Sequence, residues 1–147
     1  MGQMRFRVHD RQRLPKNAPE RIYVAGLEDI PWATKARWED DLLVVSRTVH
    51  DSGSVFVPWL ADHGGCVMLA TATLMERSKP YCLEVELARG LIHRLRARLF
   101  LWEWMGFETP PESQEKLRDA TRSFSRAATK QHNTAEAADA ANNAIDV

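Results

Sequence analysis

The chain is poor in cysteine: Cys66 and Cys82 are the only two in 147 residues. Two thiols cannot form a disulfide scaffold, and a chain of this length can build a core without one. Both are therefore expected to be small buried hydrophobes. Long apolar runs are missing as well, none approaching the ~18 residues that a membrane-spanning helix requires. An excess of one charge is also absent, since 20 Lys+Arg balance 20 Asp+Glu for a formal net charge of zero. That balance argues against a dedicated nucleic-acid binder, which normally carries a strongly basic face. Met1-Gly2-Gln3-Met4-Arg5-Phe6-Arg7 has no apolar signal core, and Phe6 stands where a myristoylation signal has Ser or Thr. The default expectation is a cytoplasmic protein. The chain is also too short for a (β/α)₈ barrel, which needs roughly 250 residues.

Several kinds of catalytic motif are missing too. There is no phosphate-cradling Gly-x-Gly-x-x-Gly or Gly-x-x-x-x-Gly-Lys, and Gly64-Gly65 stands alone. No nucleophile-elbow glycines flank Ser52, Ser54 or Ser78. The neighbours His9-Asp10, His50-Asp51 and Asp62-His63 lack a metal-ligand framework, although His63 and Cys66 are close in sequence. Glu84 and Glu86 are two apart on a helix start and cannot face each other, so their expected role is to favour the helix N-terminus. No catalytic residue, metal ligand or cofactor is predicted.

What remains has the composition of an ordinary globular protein, 44% hydrophobic and 27% charged. Punctuation divides it near Pro80. Five of seven prolines and five of seven glycines occur by that point, and residues 112–147 contain neither. Residues 1–80 read as a β domain. Met4–Val8 alternates with period two, and Arg21–Ala25 is a second short strand. Leu42–Val45 is apolar on both faces and so is expected to be covered on both. Val55–Leu60 carries Pro58, which predicts an edge or bulged strand, and Cys66–Leu74 is the clearest strand. Asp51-Ser52-Gly53 and Asp62-His63-Gly64-Gly65 supply turns.

Residues 81–147 read as two or three helices. Leu83, Leu87, Leu91, Leu95 and Leu99, with Ala88, Ile92 and Trp102, form a stripe expected to face a core, and Gly106 is a stop. Thr109-Pro110-Pro111-Glu112 predicts a start with Thr109 as the cap. A third helix starts at Asn133 or Thr134. It has no stop signal before Val147, which predicts that the natural chain continues. The fold class is α+β: a small antiparallel, jelly-roll-like β-sandwich at 1–80, then a helical connector or interaction element at 81–147.

Five tryptophans stand out. Trp32 and Trp59 each follow a proline in or beside β-half loops, and exposed aromatics on a β platform can stack against sugar rings. Both are candidate carbohydrate contacts, with closure of the sandwich as the structural alternative. Arg89, Arg94 and Arg96, with Arg98, are candidate docking residues for a carboxylate-rich partner or another domain, with a solvated face as the alternative.

Met1–Val8, Ala25-Gly26-Leu27 with Ile30-Pro31-Trp32, Asp51-Ser52-Gly53 leading to Val57-Pro58-Trp59, Thr71–Arg77, and Glu86-Leu87-Ala88-Arg89-Gly90 form a combined pattern. It resembles the N-terminal region of bacterial xylanase-like proteins of glycoside hydrolase family 10. In that family a barrel following this region cleaves β-1,4-xylan with retention, through two glutamates. The barrel motifs have no counterpart here, so no catalytic residue carries over. The resemblance implies a non-catalytic accessory module that binds a xylan-type polysaccharide weakly or positions a catalytic domain. The alternative is an interaction or dimerisation module working through the helical half, with partner helices or a second copy of the chain as its target. Neither reading calls for nucleic acid or a membrane.

Overall fold

The computed structural model describes residues Met1–Val147. Its elements are β1 (Gly2–Arg7), a 3-10 turn (Arg11–Arg13), α1 (Ala18–Arg21), β2 (Tyr23–Ala25), β3 (Thr34–Glu39), β4 (Leu42–Arg47), β5 (Ser54–Ala61), β6 (Gly65–Ala70), β7 (Tyr81–Cys82), α2 (Leu83–Trp104), α3 (Pro111–Thr129) and α4 (Thr134–Asp146). The fold is mixed α+β, with one sheet in the order β3-β4-β1-β7 and a second in the order β2-β5-β6. All ladders are antiparallel except β1 with β7, where Phe6 pairs with Tyr81 and Arg7 with Cys82.

The alternation in β1 sends Met4 and Phe6 inward, opposite Val45 and Leu43 of β4. Leu43, Val44 and Val45 are all fully buried, as an apolar run on both pleat faces requires. One core joins Met4, Phe6, Leu43 and Val45 of the first sheet with Val24, Val55, Val57, Trp59 and Leu69 of the second. Leu83 and Leu87 of α2 belong to that same core. The compositional shift near Pro80 thus marks where strands give way to helices, while one apolar interior spans both halves.

Pro58 lies in the middle strand of its sheet, not on an edge strand. The short β2 pairs only with Ser54–Phe56, so by residue 58 that side of β5 is already free and the missing N–H interrupts no ladder there. The strand predicted over Cys66–Leu74 stops at Ala70. Beyond it the Thr71 hydroxyl accepts from the Val55 N–H at 3.0 Å and donates to the Ala72 carbonyl at 2.7 Å. β3 has no counterpart in the predicted strands. It is the outer strand of its sheet, mostly exposed, and a two-residue Asp40-Asp41 turn joins it to β4, with Asp40 at φ 51.

Gly106, at φ +90, ends α2 as predicted. The predicted Thr109 cap does not form. Pro110 is the cap residue of α3, without a side-chain hydrogen bond, and the Thr109 hydroxyl donates instead to Glu103 Oε1 at 2.8 Å. Asn133 does cap α4, its side chain accepting from the Glu136 N–H at 3.4 Å. A second core of Val85, Ala88, Ala127, Ala137, Ala141 and Ala144 joins α2, α3 and α4, the alanines allowing close approach. Arg13 fastens the end of α4 to the strands. Its Nη1 and Nη2 donate to Asp146 Oδ1 and Oδ2 at 2.9 and 2.8 Å, with Asp10 and Asp62 at 3.3 Å. A carboxylate in a last helical turn opposes the helix dipole, and this guanidinium offsets it.

α2 meets the second sheet at Gly90. A Cβ there would lie 2.0 Å from the Ala70 carbonyl oxygen and 2.5 Å from the Thr71 carbonyl carbon. Gly90→Ala is therefore expected to cost about 3 kcal/mol, because rigid backbone must move on one side or the other. Urea denaturation checks this. A variant as stable as the parent would mean that the helix stands away from β6.

Candidate functional site

The inner half of α2 is built into the body of the molecule. Glu84 is fully buried, and its Oε1 accepts the backbone N–H groups of His9 and Asp10 at 2.7 and 2.9 Å. It satisfies the loop after β1, a role that the predicted charge–dipole function does not include. The Cys82 thiol lies 3.5 Å from Glu84 Oε2, and burial pushes its pKa up to about 12, so it is no nucleophile. Cys66 is exposed, contrary to the expectation that both thiols are buried, because it falls near the start of an edge strand. Glu86 is 4% exposed. Arg89 Nε stands 3.1 Å from its Oε2, near enough for an ion pair but off the angle of a hydrogen bond.

The outer half of α2 leaves the body. A helix of 22 residues spans about 33 Å, and its contact with the strands is made around Gly90. Beyond Ile92 the apolar side chains go uncovered, except for the half-buried Leu99. Phe100 is 71% exposed, Trp104 78% and Phe107 65%, with Leu95, Leu101, Trp102 and Met105 also exposed. The stripe predicted to face a core does so at Leu83, Leu87, Ala88 and Ile92, with Leu91 packed against it and Leu99 half-buried, but not at Leu95 or Trp102. Helical periodicity shows which residues share a face, and it carries no information on how far the opposing sheet extends.

The predicted docking arginines do not converge on one patch. Arg89 pairs with Glu86 and lies 5.5 Å from the Phe124 ring centre of α3. Arg94 reaches back to Asp29 Oδ1 at 3.3 Å and sits 5.1 Å from the Phe56 ring centre. Arg96 Nη2 donates to the Thr121 hydroxyl of α3 at 3.1 Å. Two of them thus lean on α3 and one on the strand side.

The two predicted sugar platforms part company. Trp59 is fully buried in the main core, and its Nε1 has no hydrogen-bond partner, so its ring presents no face to solvent. Trp32 is half-buried, its ring packed where a Cβ on Gly26 or Gly53 would come within 2.8 or 3.0 Å. It lines an open depression of about 540 Å³ with Leu27, Ile30, Ser52 and Thr73. Gly26, Leu27 and Thr73 are shared with a second depression of about 860 Å³ lined by Ser54, Thr71, His93, Arg94 and Arg98. Trp32 and Arg94 therefore face one continuous groove. Of the His–Asp neighbours, Asp10 and Asp62 come together on Arg13, each at 3.3 Å. His50 Nε2 contacts the Met1 amino group at 2.9 Å, and its Nδ1 lies 3.5 Å from Glu76 Oε2. No three His, Cys, Asp or Glu side chains gather in a metal-binding arrangement. No helix is long and apolar enough to cross a membrane.

Sequence reasoning also missed Arg47. Only 1% exposed, it donates from Nε and Nη2 to the Asp51 carbonyl at 3.1 and 2.8 Å, fixing the turn beneath Trp32. A lone arginine at the end of a strand gives no sequence signal of burial.

Burial raises the Glu86 carboxyl pKa, opposed by Arg89 and Arg77. The folded chain thus keeps this proton to higher pH than the unfolded chain, whose value is near 4.5. No penalty exists below that unfolded value. Stability falls as pH rises through the window up to the folded value, and above it the penalty is complete. Glu86→Gln is expected to stabilise the chain at about pH 8 and to change little at about pH 4. Urea midpoints at both pH values check this, and lower stability of the variant at the higher pH would contradict it. No family model, curated protein or solved structure matches the chain.

Proposed function

We propose that the chain is a non-catalytic interaction module, acting through the outer half of α2. The observation that carries this reading is the set of seven large apolar side chains between Leu95 and Phe107 left in water on the outer end of α2 and the turn that follows it. Such a patch is larger than a soluble surface ordinarily tolerates and marks a protein-contact site. Aromatics make up four of the seven, which is the composition of an interface centre. A module of this kind holds another protein surface in place and needs no reacting groups of its own.

The groove from Trp32 to Arg98 favours a second reading, an accessory module of a xylanase-like glycoside hydrolase. An aromatic wall, with hydroxyls of Ser52 and Thr73 along the groove, suits weak binding of a xylan-type polysaccharide. On this reading the two sheets around one core are a jelly-roll-like sandwich.

For the first reading, Phe100→Ser combined with Trp104→Ser is expected to leave stability within about 0.5 kcal/mol at nanomolar chain concentration. The same variant should abolish binding of the apolar dye anilinonaphthalene sulfonate. A variant that unfolds would show that these side chains serve the fold, and the reading would fail. For the second reading, xylo-oligosaccharides should shift tryptophan fluorescence at millimolar concentration, and Trp32→Ala should remove the shift. An unresponsive parent chain would eliminate it.

A further inference from the structure

We infer that the surface on α2 is covered by a second copy of this chain, in an antiparallel two-fold pair centred on Phe100. The inference rests on the reading of α2 as a docking surface and names its partner. Three observations point to self-association.

The first is spacing. His93, Ala97, Phe100 and Trp104 fall at intervals of four, three and four, so they form one seam along a helix flank. Phe107 extends it past the helix end. Phe100 and Trp104 are the two most exposed large apolar side chains on α2. The small Ala97 leaves room beside Phe100 for a facing ring.

The second is area. At about 200 Å² for a large side chain, the exposed fractions of the seam residues Phe100, Trp104 and Phe107 amount to roughly 430 Å². Twice that area is the size of a weak, reversible contact between two chains.

The third is charge. From Leu95 to Phe107 the only charged residues are Arg96 and Arg98 toward the body and Glu103 toward the tip. A parallel pair would set like charges side by side. In an antiparallel pair about Phe100, residue 96 of one copy faces residue 104 of the other, and residue 97 faces residue 103. Arg96 then lies over the Trp104 ring and beside Glu103 of the other copy, joining a cation–π contact to an ion pair. Neither group forms an ion pair within the chain. Within the chain Arg96 meets only the Thr121 hydroxyl, and Glu103 only the Thr109 hydroxyl. A two-fold axis makes each contact twice, so one such match supplies two.

Sedimentation velocity on the full chain tests this. The parent is expected to form a reversible dimer at tens of micromolar. Arg96→Glu and Glu103→Arg should each weaken it by about tenfold or more, because each sets like charges together. The double variant Arg96→Glu/Glu103→Arg should restore the dimer, which only a self-complementary interface can do. A chain that stays monomeric throughout, or a double variant no better than the singles, overturns the inference. A monomeric parent whose Phe100/Trp104 variant still folds and loses dye binding would leave docking intact and exclude only the second copy.

Discussion

The close approach of α2 to the backbone after β6 is the constraint from which the rest follows. Gly90 has no Cβ to hold the helix off the Ala70 carbonyl. This contact lets Leu83 and Leu87 reach the interior shared by the two sheets. It also sets the line of the helix, and with it the number of turns that overshoot the strands. The second core, where the alanines of α3 and α4 meet Val85 and Ala88, forms along the same inner half. Helix packing is thus complete on one half of α2 and nearly absent on the other.

The two halves have opposite surface chemistry. The half inside the body carries two buried carboxylates, Glu84 and Glu86, and the half outside carries bare Phe100, Trp102 and Trp104. Glu84 is explained within the chain, since two backbone N–H groups of the loop after β1 would otherwise lack acceptors. Glu86 is only partly compensated by Arg89, and it burdens the fold near neutral pH. The exposed aromatics have no intramolecular role. A surface that costs solubility and stabilises nothing within the chain makes physical sense when another molecule covers it.

Local rules recovered much of the architecture. Alternation in β1, the all-apolar Leu42–Val45 run, the stop at Gly106 and the cap at Asn133 each depend on neighbours in sequence, and each appears as read. Features set at a distance did not. β3 was invisible because an exposed edge strand needs no apolar face. Thr109 lost its cap role to a carboxylate on the preceding helix. Trp32 and Trp59 share the same local context after proline, yet one lines a groove and the other fills the core, because β5 is the central strand of its sheet and Trp32 lies on a loop. Arg89, Arg94 and Arg96 shared a helix, but their separate angular positions sent them to different partners. The apolar stripe of α2 was correctly located and wrongly covered, and that single misreading conceals the candidate site.

Hydrogen–deuterium exchange followed as a function of chain concentration tests most directly whether α2 is made to be covered. Amides of residues 94–107 should gain protection as concentration rises, while those of residues 83–92 exchange at a constant slow rate. Identical exchange of the outer half at all concentrations would contradict the account.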